Sequence, residues 1–331
     1  MRGAKQVTKE DVIDLSLPEA QRWAYVIKKE KLTAKRLVAN AKEPIPSYYL
    51  KSFGGAFAAA YKLFGGLYME EFEAWARGIR CSSKELLMLN CSYELAHMAE
   101  ITGATLGCTA GVFRAGKSRA VLVRNMDWPI KGFGRATRIY RFVGDSHEFV
   151  AVGAPALVGV LSGMVPGAYA ATINYAPPTS RPFFNGFGPL FLLRHVFENC
   201  ASYDEAVEML SETKLAANVL FTVASADGRS CSVERTRGEF VIRPSREGRI
   251  AVANHFQSGA LKPLNKEWDA DIVKSSNDRS QTMLDGLKAW SASPTLRQLK
   301  SLLDREPVLN DETCQQMIFD PARGKLTLWG R

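Results

Sequence analysis

Cys108, Arg124 and Asp127 are the residues of this sequence whose types and spacing suit chemistry together. Cys108 stands in Thr105-Leu106-Gly107-Cys108-Thr109-Ala110, and further on Ala120-Val121-Leu122-Val123 runs into Arg124-Asn125-Met126-Asp127-Trp128. A cysteine opening one strand, with Arg and Asp closing the adjacent strand of a hairpin, brings thiol, guanidinium and carboxylate together. The thiolate is the nucleophilic form, and a neighbouring cation favours it. Cleavage of the bond between Gly107 and Cys108 would also give the cysteine a free α-amine. Such an amine titrates near about 7.7–8.0, so it is partly neutral at pH 7. It then serves as base for its own thiol, with no histidine required. Asp127 would accept a hydrogen bond from the new ammonium and orient it. The plainer alternatives are a buried structural thiol at Cys108 and a strand-end ion pair between Arg124 and Asp127.

The elements that must hold this constellation fall into two blocks. Residues 1–107 read as helical: Ser16-Leu17-Pro18-Glu19 and Ser82-Ser83-Lys84-Glu85 are capping-box starts, and the first leads into a run with few breakers as far as Ala41. The apolar stretch 53–68 reads as an acyl-chain wall or lid, or equally as an ordinary core helix. After Cys108 short β-branched runs take over, at 119–124, 137–143, 147–153, 168–174, 218–225, 239–243 and 249–253. Helical stretches near 188–212 and 279–303 interrupt them, and strands near 314–319 and 324–329 close the chain. Strands and helices in blocks predict an α+β fold of layered antiparallel sheets flanked by helices. No repeat, low-complexity tract or interdomain linker divides the sequence.

Composition narrows the function. The 331 residues are 46% hydrophobic and 23% charged, the balance of a globular protein without spans of 18 or so apolar residues. The start, Met1-Arg2-Gly3-Ala4-Lys5-Gln6, has no apolar h-region, so the expected compartment is cytoplasmic. Cys81, Cys91, Cys108, Cys200, Cys231 and Cys314 form no C-x-x-C pair and are expected as free thiols. Net charge is +9, from 43 basic against 34 acidic residues, and the basic cluster at Lys28-Lys29-Glu30-Lys31 to Lys35-Arg36 reads as a solvated helix face. No nucleic-acid partner is expected, because basic runs interleaved with exposed aromatics are lacking; weak attraction to an anionic membrane surface stays open. Gly111-Val112-Phe113-Arg114-Ala115-Gly116-Lys117-Ser118 matches a phosphate-loop pattern, but a strand rather than a helix follows it, so Ala115–Ser118 reads as a hairpin turn. Four histidines without ligand spacing call for no metal, and nothing calls for a cofactor.

Several blocks then resemble the cholylglycine-hydrolase-like branch of the N-terminal-nucleophile hydrolases, and within it the acid ceramidase and N-acylethanolamine acid amidase subgroup. They are Glu70-Glu71-Phe72 and Leu89-Asn90-Cys91-Ser92-Tyr93-Glu94-Leu95, then Cys108-Thr109 with Arg124-Asn125-Met126-Asp127. Gly159-Val160-Leu161-Ser162-Gly163, Thr172-Ile173-Asn174 and Ser202-Tyr203-Asp204-Glu205-Ala206 follow, and Ala253-Asn254, Asn277-Asp278-Arg279 and Pro307-Val308-Leu309-Asn310 close the series. The resemblance implies a four-layer αββα sandwich. Residues 1–107 would be a helical pro-segment or α-subunit and 108–331 the β-subunit, the two fragments staying associated as one catalytic domain after self-cleavage.

The same resemblance implies site roles. Cys108 matches the nucleophile, with Arg124 and Asp127 as the pair that tunes its thiol and amine. Asn174 matches a position whose backbone helps form the oxyanion hole, Asn254 the side-chain donor to that hole, and Arg279 the arginine completing the charged network. Taken by themselves, Asn174 and Asn254 are strand-end residues and Arg279 an exposed helix start. Two departures bear on substrate: the lysosomal lipid amidases carry Glu directly after the matching Asn, where Tyr175 stands here, and Gly107 is closer to the penicillin acyltransferases. The implied function is hydrolysis of a linear N-acyl amide, a small-molecule substrate, through an acyl-enzyme. The alternatives are an acyltransferase and an unprocessed, non-enzymatic lipid- or metabolite-binding protein. Homo-oligomerisation is left open.

Overall fold

A computed structural model of the chain describes residues 4–43, 45, 55, 58–59, 61–62, 66–99 (97–99 by backbone only), 107–116, 118–176, 178, 186–290 and 293–331. It opens with strands β1 (Lys5–Val7) and β2 (Glu10–Asp14), which corrects the expectation of a wholly helical first third. Only Asp11 and Ile13 of these strands are buried, a pattern too brief to stand out beside the long helical run that follows. Helices α1 (Glu19–Arg22), α2 (Ala24–Lys42), α3 (Met69–Ile79), α4 (Ser83–Asn90) and α5 (Ser92–Ala99) come next. Ser82 caps α4 by accepting from the Glu85 amide, but the Ser16 hydroxyl donates to Asp14 Oδ1 at 2.6 Å and caps nothing. Much of the apolar stretch 53–68 lies outside the described residues; within it Ala58 and Tyr68 are buried.

The remainder supplies most of two sheets. A six-stranded sheet has the order β1-β14-β13-β4-β3-β12, with β3 at Gly107–Arg114, β4 at Ala120–Asp127, β12 at Arg249–Val252, β13 at Thr313–Asp320 and β14 at Lys325–Gly330. An eight-stranded sheet has the order β11-β10-β9-β8-β7-β6-β5-β2. Its strands are β5 (Arg138–Val143), β6 (Glu148–Gly153), β7 (Ser162–Val165), β8 (Tyr169–Tyr175), β9 (Val219–Ser225), β10 (Ser230–Arg235) and β11 (Phe240–Pro244). Pairing is antiparallel throughout except between β2 and β5. The first third of the chain is therefore woven into both sheets, through β1 on β14 and β2 on β5.

Helices α6 (Pro189–Asn199) and α7 (Tyr203–Glu212) cover the eight-stranded sheet. The single stretch expected at 188–212 is two helices, because Ser202 and Glu205 form a capping box that starts a new one. Helices α8 (Ala270–Lys288) and α9 (Leu296–Leu303) cover the six-stranded sheet. The Asp269 carboxylate starts α8 by accepting from the Asp271 and Ile272 amides at 2.9 and 3.1 Å, well before the expected start at 279. The result is the αββα sandwich.

Strand β4 shows why its sequence reads as an unbroken apolar run. Leu122 and Met126 pack between the sheets, while Val121 and Val123 pack outward against Met283 and Leu287 of α8 and Leu299, Leu302 and Leu303 of α9. Both faces are buried, so period-two alternation vanishes. Helix α8 lies close on β3 because Gly111 has no side chain: a Cβ there would meet Met283 Cγ and Sδ at 2.8 Å. That closeness brings Arg279, one turn before Met283, over the start of β3.

Candidate active site

The β3–β4 hairpin sets the site. Its turn is closed by the Ala115 amide donating to the Arg119 carbonyl at 2.6 Å, and β4 follows directly, so the phosphate-loop pattern has no helix after it. Lys117 itself lies outside the described residues. Register pairs Gly107 with Asp127 and Cys108 with Met126. Cys108 and Arg124 share the face directed at the second sheet, because successive strand residues alternate. Arg124 is wholly buried, and its Nη2 donates to Cys108 Sγ at 2.9 Å. The guanidinium is fixed by the carbonyls of Ile173 at 2.5 Å and Leu161 at 2.8 Å and by the Ser162 hydroxyl.

Asp127 sits beneath Gly107, so close that a Cβ at Gly107 would meet Asp127 Oδ2 at 3.0 Å. Its carboxylate accepts from Thr313 Oγ1 at 2.7 Å and from Asn310 Nδ2 at 2.9 Å. Arg279 Nη1 lies 3.9 Å from Asp127 Oδ2. The same Nη1 donates to the Cys108 carbonyl at 2.7 Å and to Thr109 Oγ1 at 3.0 Å. Arg279 Nη2 donates to Asn254 Oδ1 at 2.9 Å, and that oxygen also accepts from the Cys108 amide at 3.0 Å. Asn254 Nδ2 spends one hydrogen on the Tyr175 carbonyl at 2.9 Å, leaving its second N–H for another acceptor. Asn174 Nδ2 braces three carbonyls, those of Cys108, Val252 and Ala253, at 3.3, 3.1 and 2.8 Å. All six residues singled out from the sequence thus meet around Cys108. Arg279 is 6% exposed and lies mid-helix, which corrects its reading as an exposed helix start.

Electrostatics follow from the burial. Loss of solvent pushes the Cys108 thiol above its ordinary value, and the Arg124 charge works against that rise. In the continuous chain the thiol is therefore neutral at pH 7. Arg279 is lowered by burial, against the attraction of Asp127 and Cys108. Arg279 is the arginine that faces Asp127, whereas Arg124 points to the other face of β4 and has no ion pair to another described residue, so its charge is directed at the thiol.

Several contributors were not legible in the sequence. Asn310 and Thr313 hold Asp127, and of the two only Asn310 falls within a block of the family resemblance. Ser276 Oγ accepts from the Asn254 amide and pairs with His255 Nδ1, each at 2.7 Å. Burial, then the charges of Arg279, Arg243 and Lys262, lower His255 to about 4, so it is neutral beside the site. Tyr175 stacks edge-on with Tyr93 at 5.4 Å and with Trp268 at 5.8 Å, an aromatic wall at the position where the family resemblance implies a carboxylate. Only the departure at Tyr175 signalled it.

A cysteine heading an interior strand of an αββα sandwich, held by a buried arginine and set over a carboxylate, is the arrangement that the resemblance to N-terminal-nucleophile hydrolases led us to expect. The chain belongs to the acyl-coenzyme A:6-aminopenicillanic acid acyl-transferase family, which matches residues 114–327, more than half of its length. It is similar to the N-acylethanolamine-hydrolyzing acid amidase of Caenorhabditis elegans, 27% identical over 330 residues covering 94% of this chain and 88% of that one. It is similar also to acid ceramidase of Heterocephalus glaber, 27% identical over 352 residues covering 94% and 83%. The solved structure of the Caenorhabditis elegans N-acylethanolamine-hydrolyzing acid amidase ortholog shares the fold, with a TM-score of 0.56 at 20% identity over 68% of this chain and all of that one. Among the described residues no helix is long and apolar enough to cross a membrane.

Proposed function

We propose that this protein is a self-processing N-terminal cysteine amidohydrolase that cleaves a linear N-acyl amide, an apolar acyl group on a small amine. The observation that carries the reading is the environment of Cys108: Sγ on Arg124, amide on Asn254, carbonyl on Arg279, and Asp127 under the preceding glycine. Processing begins with Sγ attack on the Gly107 carbonyl. The amide nitrogen leaves as the Cys108 α-amine, and water hydrolyses the resulting thioester. Residues 1–107 and 108–331 then form two fragments that stay associated, since β1 and β2 remain strands of sheets built by the larger fragment. The new ammonium sits near Asp127, and its positive charge draws the thiol pKa down from its buried value.

In turnover the α-amine takes the thiol proton and Sγ attacks the substrate carbonyl carbon. The oxyanion accepts the second N–H of Asn254 and a backbone amide near Asn174, donors aimed where charge develops. The α-ammonium protonates the leaving amine as the C–N bond breaks. Left as a neutral amine, it next accepts a proton from water, which attacks the thioester; the acyl–sulfur bond breaks, the carboxylic acid leaves, and the same proton returns to Sγ. The aromatic wall of Tyr93, Tyr175 and Trp268 favours an apolar acyl group. Relatives named as an acid amidase and as acid ceramidase support this substrate class.

The test uses a fluorogenic panel of N-acyl amides with acyl chains of increasing length. Burst release of the amine and an acyl adduct on the peptide beginning at Cys108, seen by mass spectrometry after acid quench, are expected. Acylation elsewhere, or no turnover by processed protein across the panel, contradicts the reading. The acyltransferase alternative is favoured by the family match, and added hydroxylamine or amine acceptors measure how the acyl-enzyme divides between water and amine.

A further inference from the structure

The opposite side of the turn that holds Asp127 borders a cleft of 1460 Å³, in which Cys108 takes no part. Asn310 and Thr313, whose side chains grip the Asp127 carboxylate, also line this cleft. Trp128, the residue after Asp127, lines it too and donates its amide to the Glu312 carbonyl at 2.9 Å. Strand β13 is irregular there, its register against β4 shifting between Thr313 and Gln315. Irregularities of this kind re-aim side chains and recur beside reactive sites. One thin wall therefore separates the cleft from the charged groups around Cys108.

The lining has two chemistries. Val7, Trp128, Pro129 and Ile130 give it an apolar part. Lys29 is paired with Asp11 at 2.6 Å and Arg138 with Glu30 at 2.8 Å, so those charges are met within the protein. Lys5, Lys9, Lys131 and Arg135 are exposed cations with no ion pair to another described residue, opposed by the exposed acids Asp311 and Glu312. An apolar part beside an excess of unpaired cations suits a ligand with an alkyl chain and an anionic head.

We propose that this cleft is a second binding site, for an anionic amphiphile, and that its occupancy is felt at Asp127 through the Asn310–Thr313 turn. The binding half stands on the cleft alone; the coupling half rests on the proposed role of Asp127. A long-chain carboxylate, the product class of the proposed reaction, and an alkyl phosphate share the required chemistry. A filled cleft would shift the turn that carries both donors to Asp127, changing how that carboxylate orients the Cys108 amine.

Diazirine-bearing lauric acid, photo-crosslinked to full-length protein and to Cys108→Ala, tests the binding. Label is expected on peptides covering 128–138 and 310–314 in both proteins. Competition by dodecyl phosphate against unlabelled laurate tells which head binds more tightly. Lys131→Glu with Arg135→Glu should weaken labelling at these peptides at least tenfold, while dodecyltrimethylammonium should not compete. Label confined to peptides around Tyr93 and Tyr175, equal competition by the cationic amphiphile, or labelling unchanged by the charge reversals would each overturn the site. For the coupling, laurate should change kcat on a short-chain fluorogenic amide in wild type but not in the double reversal. A purely competitive effect that persists in the reversal would overturn it. Processed protein that labels as expected but lacks turnover would count against the catalytic reading and leave the site standing.

Discussion

Two buried ionic clusters in this molecule use their charges in opposite ways. In the first, Glu71 of α3 accepts from both Nη atoms of Arg194 of α6 at 2.5 and 2.6 Å, from Trp23 Nε1 at 2.5 Å and from Arg22 at 3.2 Å. Arg194 also donates to Glu198 at 2.8 Å and to the Val158 carbonyl at 3.0 Å, and its guanidinium lies 3.9 Å from the Tyr68 ring centre. Two arginines meet two glutamates, both Glu71 oxygens are engaged, and Glu71 and Arg194 are wholly buried. In the second, around Cys108, Arg279 lies 3.9 Å from Asp127 while Arg124 has no ion pair, and buried Arg124 Nε and Asn174 Oδ1 have no partner among the described residues. Saturated charge holds elements together; unsaturated charge is what a developing thiolate or oxyanion can use. The Glu71–Arg194 cluster also joins residues on opposite sides of the Gly107–Cys108 bond, so it would help hold the two fragments together after the proposed cleavage.

Breaking each cluster should separate these roles. Glu71→Ala leaves a buried guanidinium short of its main counter-charge, and loss of one member of such a pair typically costs roughly 3–5 kcal/mol. Urea unfolding should show that loss, while kcat of the folded protein stays within about threefold. Replacing both partners, Glu71→Leu with Arg194→Met, should recover part of it. A Glu71→Ala variant with unchanged midpoint would erase the contrast. Asn254→Ala should act mainly on the reaction: losing one oxyanion donor typically lowers kcat by about 10²–10³, or roughly 3–4 kcal/mol. Some stability should go as well, because the Asn254 side chain already serves the Cys108 amide, Arg279 and the Tyr175 carbonyl. Near-normal kcat on a fluorogenic amide would reduce Asn254 to a brace.

A third buried acid sharpens the comparison from the other side. Glu94 of α5 is 2% exposed, has no partner on Oε2 among the described residues, and burial lifts it to about 7. The folded protein therefore holds a proton that the unfolded chain releases above about 4.5. Stability is full below that value, falls as pH rises through about 7 and is level above it, a loss of roughly 3 kcal/mol. His255, lowered to about 4 by burial and nearby cations, acts in the opposite sense, removing stability as pH falls below about 6.5. The Glu94 slope is thus read as the difference between wild type and Glu94→Gln in urea titrations from pH 5 to 8. Parallel curves would show that Glu94 keeps an ordinary carboxylate pKa.

How far the sequence foretold this depends on chain distance. The Cys108–Asp127 hairpin was legible from residue types alone, because a short turn fixes register between neighbouring strands. Asn254 and Arg279 lie 146 and 171 residues from Cys108, and no local pattern places them there; the family resemblance did. Strand β10 stayed hidden because Ser230, Ser232, Glu234 and Arg235 are buried polar residues that mimic a loop. Strand β7 is four residues long and contains Gly163, which shortens its signal further. The pairing of Glu71 with Arg194 was hidden for another reason, although Glu71 stands in a block of the family resemblance. A charged residue in a helical run reads as surface until its partner is known, and here that partner comes from the other half of the chain.

The account rests on Cys108 becoming an amino-terminal residue, and intact-mass analysis with terminal sequencing of purified protein tests this most directly. Incubation over pH 4 to 8 should convert the chain into co-eluting fragments, the larger beginning at Cys108, and Cys108→Ala should remain whole and inactive. A single full-length species at every pH, or equal cleavage in Cys108→Ala, would contradict the account and leave a binding protein on the same scaffold.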